Sequence, residues 1–158
     1  MNLRVNRRDL LSHSAKLAAM LATAGLLPQT ATSAHAAYST AAFEMKTMSE
    51  LVKSMGGGAP VESKDVTITG PEIAENGAVV PLGVSTALPG VKKLLVLVEK
   101  NPNVMSAMFD VSDAVDANFS TRVKMGQSSQ VFGVAMMNDG RVLFAQREVK
   151  VTLGGCGG

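Results

Sequence analysis

The chain has no tryptophan, one tyrosine, one cysteine and two histidines in 158 residues. A single cysteine cannot pair within its own chain, so no disulfide framework holds the fold together. Both histidines, His13 and His35, lie in a segment laid out like an export signal. Arg4, Arg7 and Arg8 come first, then the moderately apolar stretch Leu17–Leu27, then the small-x-small site Ala34-His35-Ala36. Cleavage is expected after Ala36. The mature chain then has one Cys and no His. That excludes a Cys-His nucleophile and a Cys/His zinc site within the chain. The apolar run falls well short of the ~20 residues of a membrane-spanning helix.

An excess of charge is also missing. Cleavage removes four of the 15 Lys and Arg and one of the 13 Asp and Glu, leaving 11 and 12. The precursor's basic balance therefore belongs to the signal, and no basic run points to nucleic acid. Arg7-Arg8 followed by Leu10-Leu11 resembles a twin-arginine signal, with Thr23 and Gly25 weakening the apolar centre. Asn6 and Leu10 depart from its commonest form. The alternative is an ordinary secretory signal that happens to hold adjacent arginines. Either route delivers the protein outside the cytoplasm, and the twin-arginine reading places it in the periplasm, exported folded.

The expected organisation is a signal over 1–36, one domain over 37–153 and a terminal arm over 154–158. With one Tyr and five Phe, the core must be mainly Val, Leu, Ile and Met. The span Thr40–Met55 reads as a helix, because Met48, Leu51, Val52 and Met55 fall at i, i+3, i+4 and i+7. Gly56-Gly57-Gly58 stops it. Beyond Lys64 the pattern turns to strands: Asp65–Thr69, Ala78–Val84, Lys93–Glu99, Val104–Asp110, Asn118–Met125, Ser129–Met136 and Arg141–Leu153. Pro81 predicts an edge or a bulge in the second of these. The almost wholly apolar run Lys93–Glu99 predicts a central strand. Asn138-Asp139-Gly140 is the strongest hairpin signal. About seven strands spaced by roughly ten residues predict an all-β fold: an immunoglobulin-like antiparallel β-sandwich with one short N-terminal helix.

Several constellations invite chemistry and are better read as structure. Asp110, Asp113 and Asp116 lack the spacing and the glycine of a calcium loop, and read as a solvated connection. Gly56–Gly58 has no strand before it and no Lys-Ser or Lys-Thr after it, so it is not a phosphate loop. The ten methionines suit core packing better than copper.

The last stretch, Val151-Thr152-Leu153-Gly154-Gly155-Cys156-Gly157-Gly158, is different. Gly154, Gly155, Gly157 and Gly158 bracket the lone cysteine, which makes a slim, flexible arm around one unhindered thiol. Four residues beyond Thr152 place the thiol up to ~13 Å from its last anchor. The plain alternative is an unstructured glycine tail. An exposed thiol is a liability in an oxidising compartment, which favours use over accident. No basic side chain stands beside Cys156 in sequence, so nothing local promotes the thiolate. Activation is expected to come from whichever active site the thiol enters.

This terminus resembles that of the SoxY family, the sulfur carriers of periplasmic thiosulfate oxidation. Pro71–Gly77, Glu99-Lys100-Asn101-Pro102, Thr121–Lys124 and Asp139-Gly140 are similar as well. The resemblance implies an immunoglobulin-like sandwich that forms a heterodimer with a SoxZ-like subunit. It implies that Cys156 covalently carries pathway intermediates on the arm Gly154–Gly158. It also implies transient visits to haem-containing, di-manganese and molybdenum-haem enzymes, which hold those cofactors while the carrier binds none and is not itself an enzyme. The Met-rich N-terminal helix, with Met45, Met48 and Met55, is the main departure noted from the family. Two rival readings come from other classes. A stand-alone thiol sulfurtransferase needs an activating base, which the chain lacks; a structural sandwich dimerised through Cys156 would lose only its dimer on Cys156→Ser.

Overall fold

Two sheets pack face to face in the computed structural model, which describes residues 40–152. The larger sheet has the order β1-β9-β8-β5-β6: β1 Pro60–Glu62, β9 Val142–Val151, β8 Ser129–Met137, β5 Val91–Val98 and β6 Met105–Asp110. A two-residue strand, β3 Ile73–Ala74, joins β9 further along the edge that β1 occupies. The smaller sheet is β2-β4-β7: β2 Val66–Thr69, β4 Val80–Thr86 and β7 Asn118–Val123. All pairings are antiparallel except β1–β9 and β3–β9. The seven longer strands are those that the sequence predicts from alternating or continuously apolar runs. β1 and β3 are too short to have a period, and the sequence reading passes over both.

Period 2 also divides the core. From β5, Leu94, Val96 and Val98 point between the sheets and meet Val66, Ile68, Leu82, Val84 and Val131. Their neighbours Leu95 and Leu97 point the other way and pack with Leu51 and Val52 of α1 (Met48–Ser54), Val134 and Met136. β5 and β8 are therefore covered on both faces, which is why they read as near-continuous apolar runs. Burial of this kind contributes roughly 25 cal/mol per Å² of apolar surface, and it replaces the missing disulfides.

The helix is shorter than its periodicity predicts. Thr40–Glu44 forms one 3-10 turn, and α1 starts afresh at Met48. Thr47 is the reason: its Oγ1 accepts the Glu50 N–H at 3.2 Å, which caps a new helix rather than continuing an old one. Gly56, at φ +80°, ends it, and the Gly57 N–H donates to Val52 O at 2.8 Å.

Pro81 departs from expectation. It lies in β4, the middle strand of its sheet, rather than at an edge. β2 reaches only to Thr69, which pairs with Gly83, while Pro81 pairs with Arg122 of β7 alone. The proline occupies the stretch of β4 that β2 no longer covers, so its missing N–H costs no bond on that side.

Candidate functional site

Cys156 and the glycines Gly154, Gly155, Gly157 and Gly158 lie outside the described residues. The structure instead defines the root from which they continue. β9 is ten residues long, and its C-terminal end is held from both sides. On one side β3 runs parallel to it, pairing Ile73 with Lys150 and Ala74 with Val151. The Lys150 N–H donates to Glu72 O at 2.9 Å and the Thr152 N–H to Ala74 O at 3.1 Å. On the other side the Val151 N–H donates to Ser128 Oγ at 2.9 Å. The Thr152 hydroxyl adds a bond to Glu75 O at 3.3 Å. Every backbone donor from Lys150 to Thr152 thus has a partner, which is what a fixed mounting requires.

The local sequence explains β3. Gly70-Pro71 ends β2 and sends the chain across to the β9 edge. Asn76 then turns it back, its Oδ1 accepting the Ala78 N–H at 2.8 Å. Gly77 O accepts the Met125 N–H at 2.7 Å, so the turn is tied to the end of β7. Neither β3 nor Ser128 is legible in sequence; the one nearby signal is the polar pair Ser128-Ser129 at the start of an apolar strand.

The same end of the sandwich gathers the C-terminal ends of β5 and β7, the start of β8 and the β5–β6 connection. The Lys100 N–H donates to Ser129 Oγ at 3.0 Å, and Asn101 Nδ2 donates to Lys124 O at 2.8 Å. Lys46 Nζ reaches across to Pro102 O. Between these segments opens a cleft of about 720 Å³, lined by Lys100, Asn101, Met105, Ser106, Lys124 and Gln127 among others. Among the described residues, no three of His, Cys, Asp and Glu come together as a metal site. Asp110 of the Asp110/Asp113/Asp116 series pairs with Lys93. No helix among the described residues is long and apolar enough to cross a membrane.

Far from this end, at the β8–β9 hairpin, the Arg141 backbone N–H and then its guanidinium hold the Asp139 carboxyl below its ordinary 3.8. One strand of ten residues separates that turn from Thr152, about 30 Å at a strand's rise.

Comparison with known proteins agrees with this layout. The profile of the family described as sulfur oxidation protein SoxY matches residues 52–156. The solved structure of the sulfur carrier protein SoxY from Chlorobium limicola f thiosulfatophilum is similar at 35% identity and a TM-score of 0.59, covering 66% of this chain and 94% of that one. A variant of superoxide reductase (neelaredoxin) from Ignicoccus hospitalis is similar at 16% identity and a TM-score of 0.52, covering 68% and 99%, which shows a shared sandwich fold and nothing of function. No match was found among curated protein sequences.

Proposed function

The chain belongs to the SoxY family of sulfur oxidation proteins, and from that premise we propose that it is a covalent sulfur carrier whose intermediates ride on the Cys156 thiol. The observation that carries this reading is positional. The family match runs through to residue 156, the chain's one cysteine, while the backbone is anchored as far as Thr152. A fixed root with a slim continuation suits a thiol that enters other proteins' active sites. Gly154, Gly155, Gly157 and Gly158 keep the arm narrow where a partner's channel must admit it.

Loading joins thiosulfate to the thiol. The Cys156 S–H gives up its proton, a sulfur–sulfur bond forms, and two electrons leave, so the product is an S-thiosulfonate with one negative charge. A partner must take those electrons, and the haem-containing enzyme is the fitting one. Water then cleaves the terminal sulfonate as sulfate, the step assigned to the di-manganese enzyme, and leaves a persulfide on Cys156. The molybdenum-haem enzyme would oxidise that remaining sulfur. The carrier contributes no cofactor to these steps; it supplies a nucleophilic sulfur, a reach of ~13 Å and a leaving group. A SoxZ-like subunit is its proposed stable partner, and the periplasm its compartment, reached by the twin-arginine route.

Intact-mass spectrometry of the exported protein from thiosulfate-oxidising cells tests the reading. Reducible sulfur adducts are expected, mapping to Cys156 and absent from Cys156→Ser. A uniformly free thiol under those conditions would exclude a carrier role.

A further inference from the structure

The methionines divide into two sets by burial. Among the described residues, Met105, Met125, Met136 and Met137 are buried, while Met45, Met48, Met55 and Met108 are partly exposed. The exposed set is not scattered. All of it packs on one cluster, the one that α1 shares with Leu95, Leu97, Val134 and Val142 on the outer face of the larger sheet. Met45 comes from the segment before α1, Met48 and Met55 from its two ends, and Met108 from β6. Shape alone does not call for sulfur here, since leucine would fill a partly exposed rim with comparable volume. What thioethers add is a reaction: each can take up one oxygen atom, and the product is polar.

These side chains hold an element that cannot hold itself. α1 has seven residues, and helices shorter than ~12–15 residues are marginal in water. Its docking face is Met48, Leu51, Val52 and Met55, so methionines bracket the two buried residues. The polar ties at its two ends are uneven. After the helix, the Gly57 N–H donates to Val52 O at 2.8 Å and the Gly58 N–H to Gly140 O at 2.9 Å. Gly57 lies so close to the sheet that a Cβ would meet Val142 Cγ2 at 2.7 Å. Before the helix, Met45 O accepts the Val104 N–H at only 3.5 Å, and Lys46 Nζ donates to Pro102 O. The C-terminal side of α1 is thus pinned, and the N-terminal side depends mainly on side-chain packing.

We propose that Met45, Met48, Met55 and Met108 form an oxidation site for small two-electron oxidants of the peroxide class, and that their conversion to sulfoxides undocks α1 from the sheet. In the step, a thioether sulfur attacks one peroxide oxygen. The O–O bond breaks, an S=O bond forms, and the second oxygen leaves as water; sulfur loses two electrons and the peroxide gains them. Each sulfoxide then sets a strong acceptor against an apolar surface, and it is better solvated with the helix away. The N-terminal side, with the weaker ties, is the one that lifts first. A methionine sulfoxide reductase with its own two-electron donor would remove the oxygen as water, so the release is reversible. The proposal does not depend on the carrier reading.

The test uses the exported protein, its Cys156 thiol blocked by alkylation, treated with graded hydrogen peroxide. Peptide mass spectrometry should find sulfoxide at Met45, Met48, Met55 and Met108 before Met105, Met125, Met136 and Met137. The amides to follow are Leu51, Met55 and Gly57, whose N–H groups donate to Thr47 O, Leu51 O and Val52 O. Their exchange should quicken about ten-fold or more, the factor that one poorly solvated polar group gives. β4 and β7 should keep the protection of the untreated protein. Methionine sulfoxide reductase should restore slow exchange. The variant Met48→Leu/Met55→Leu keeps the volume, and its α1 should stay docked through the same treatment. Oxidation of the buried methionines as early as the exposed ones overturns the proposal, because the reagent would then enter by global unfolding. So does a protein with sulfoxide at Met45, Met48, Met55 and Met108 whose α1 amides exchange at the untreated rate. Equal release of α1 in the leucine variant overturns it too, since Met48 and Met55 would then not be the switch.

Discussion

At the scale of the residue, small side chains do most of the positioning. Gly133 of β8 faces the opposite sheet, and a Cβ there would meet Val84 Cγ2 at 3.0 Å and Ile68 Cβ at 3.1 Å. Gly133→Val should therefore force the sheets apart and lower stability by about 1–3 kcal/mol, read from the denaturant midpoint. Ser128 is the counterpart at the arm root. Ser128→Ala removes the acceptor for the Val151 N–H and should cost about 1 kcal/mol. Amide exchange should quicken at Val151 ahead of the strand centre; unchanged exchange there would mean β3 alone holds the root. For the arm, replacing both Gly155 and Gly157 with Val should leave the unfolding transition unmoved and stop turnover by the reconstituted partner enzymes. Normal turnover would make slimness irrelevant.

At the scale of the element, the turn linking β8 to β9 shows how local chemistry sets register. Asn138, Asp139, Gly140 and Arg141 link the two strands; Gly140 takes φ +87°, and the Asp139 carboxylate accepts the Arg141 N–H at 3.0 Å. Because the folded chain depresses the Asp139 pKa, its contribution to stability is complete above the ordinary 3.8 and is lost as pH falls through the lower folded value. Asp139→Asn should thus be less stable than wild type at neutral pH, and the gap should close in acid. A gap that persists at low pH would mean that the turn geometry matters and the charge does not. The helix follows the same logic. Thr47→Ala should cost about 1 kcal/mol through loss of the cap, because α1 is a separate seven-residue helix rather than the continuation of an earlier one.

At the scale of the whole molecule, stability and proposed function occupy different regions. The core lies between and beneath the sheets, whereas the proposed chemistry belongs to Cys156, beyond the described residues. Leu95→Ala, under α1, should cost about 2–5 kcal/mol and leave a cavity, measured by thermal or denaturant unfolding. Below its melting temperature the same variant should still take up the Cys156 adduct at the wild-type rate. A loss of loading in a folded Leu95→Ala protein would couple core and arm in a way the architecture gives no reason to expect.

Much of this protein is written in short-range patterns. Alternation or a continuous apolar run marked each of the seven longer strands and Asn-Asp-Gly marked the hairpin, since each depends only on residues close together in the chain; the lone cysteine among four glycines singles out Cys156 as the candidate carrier in the same local way. β3, the Ser128 clamp and the placement of Pro81 beside a strand that stops short are of another kind. Each arises where separate segments of the chain meet: Ala74 with Val151 and Thr69 with Gly83. No local propensity specifies such meetings, because the free energy that selects them comes from burying both sheets at once.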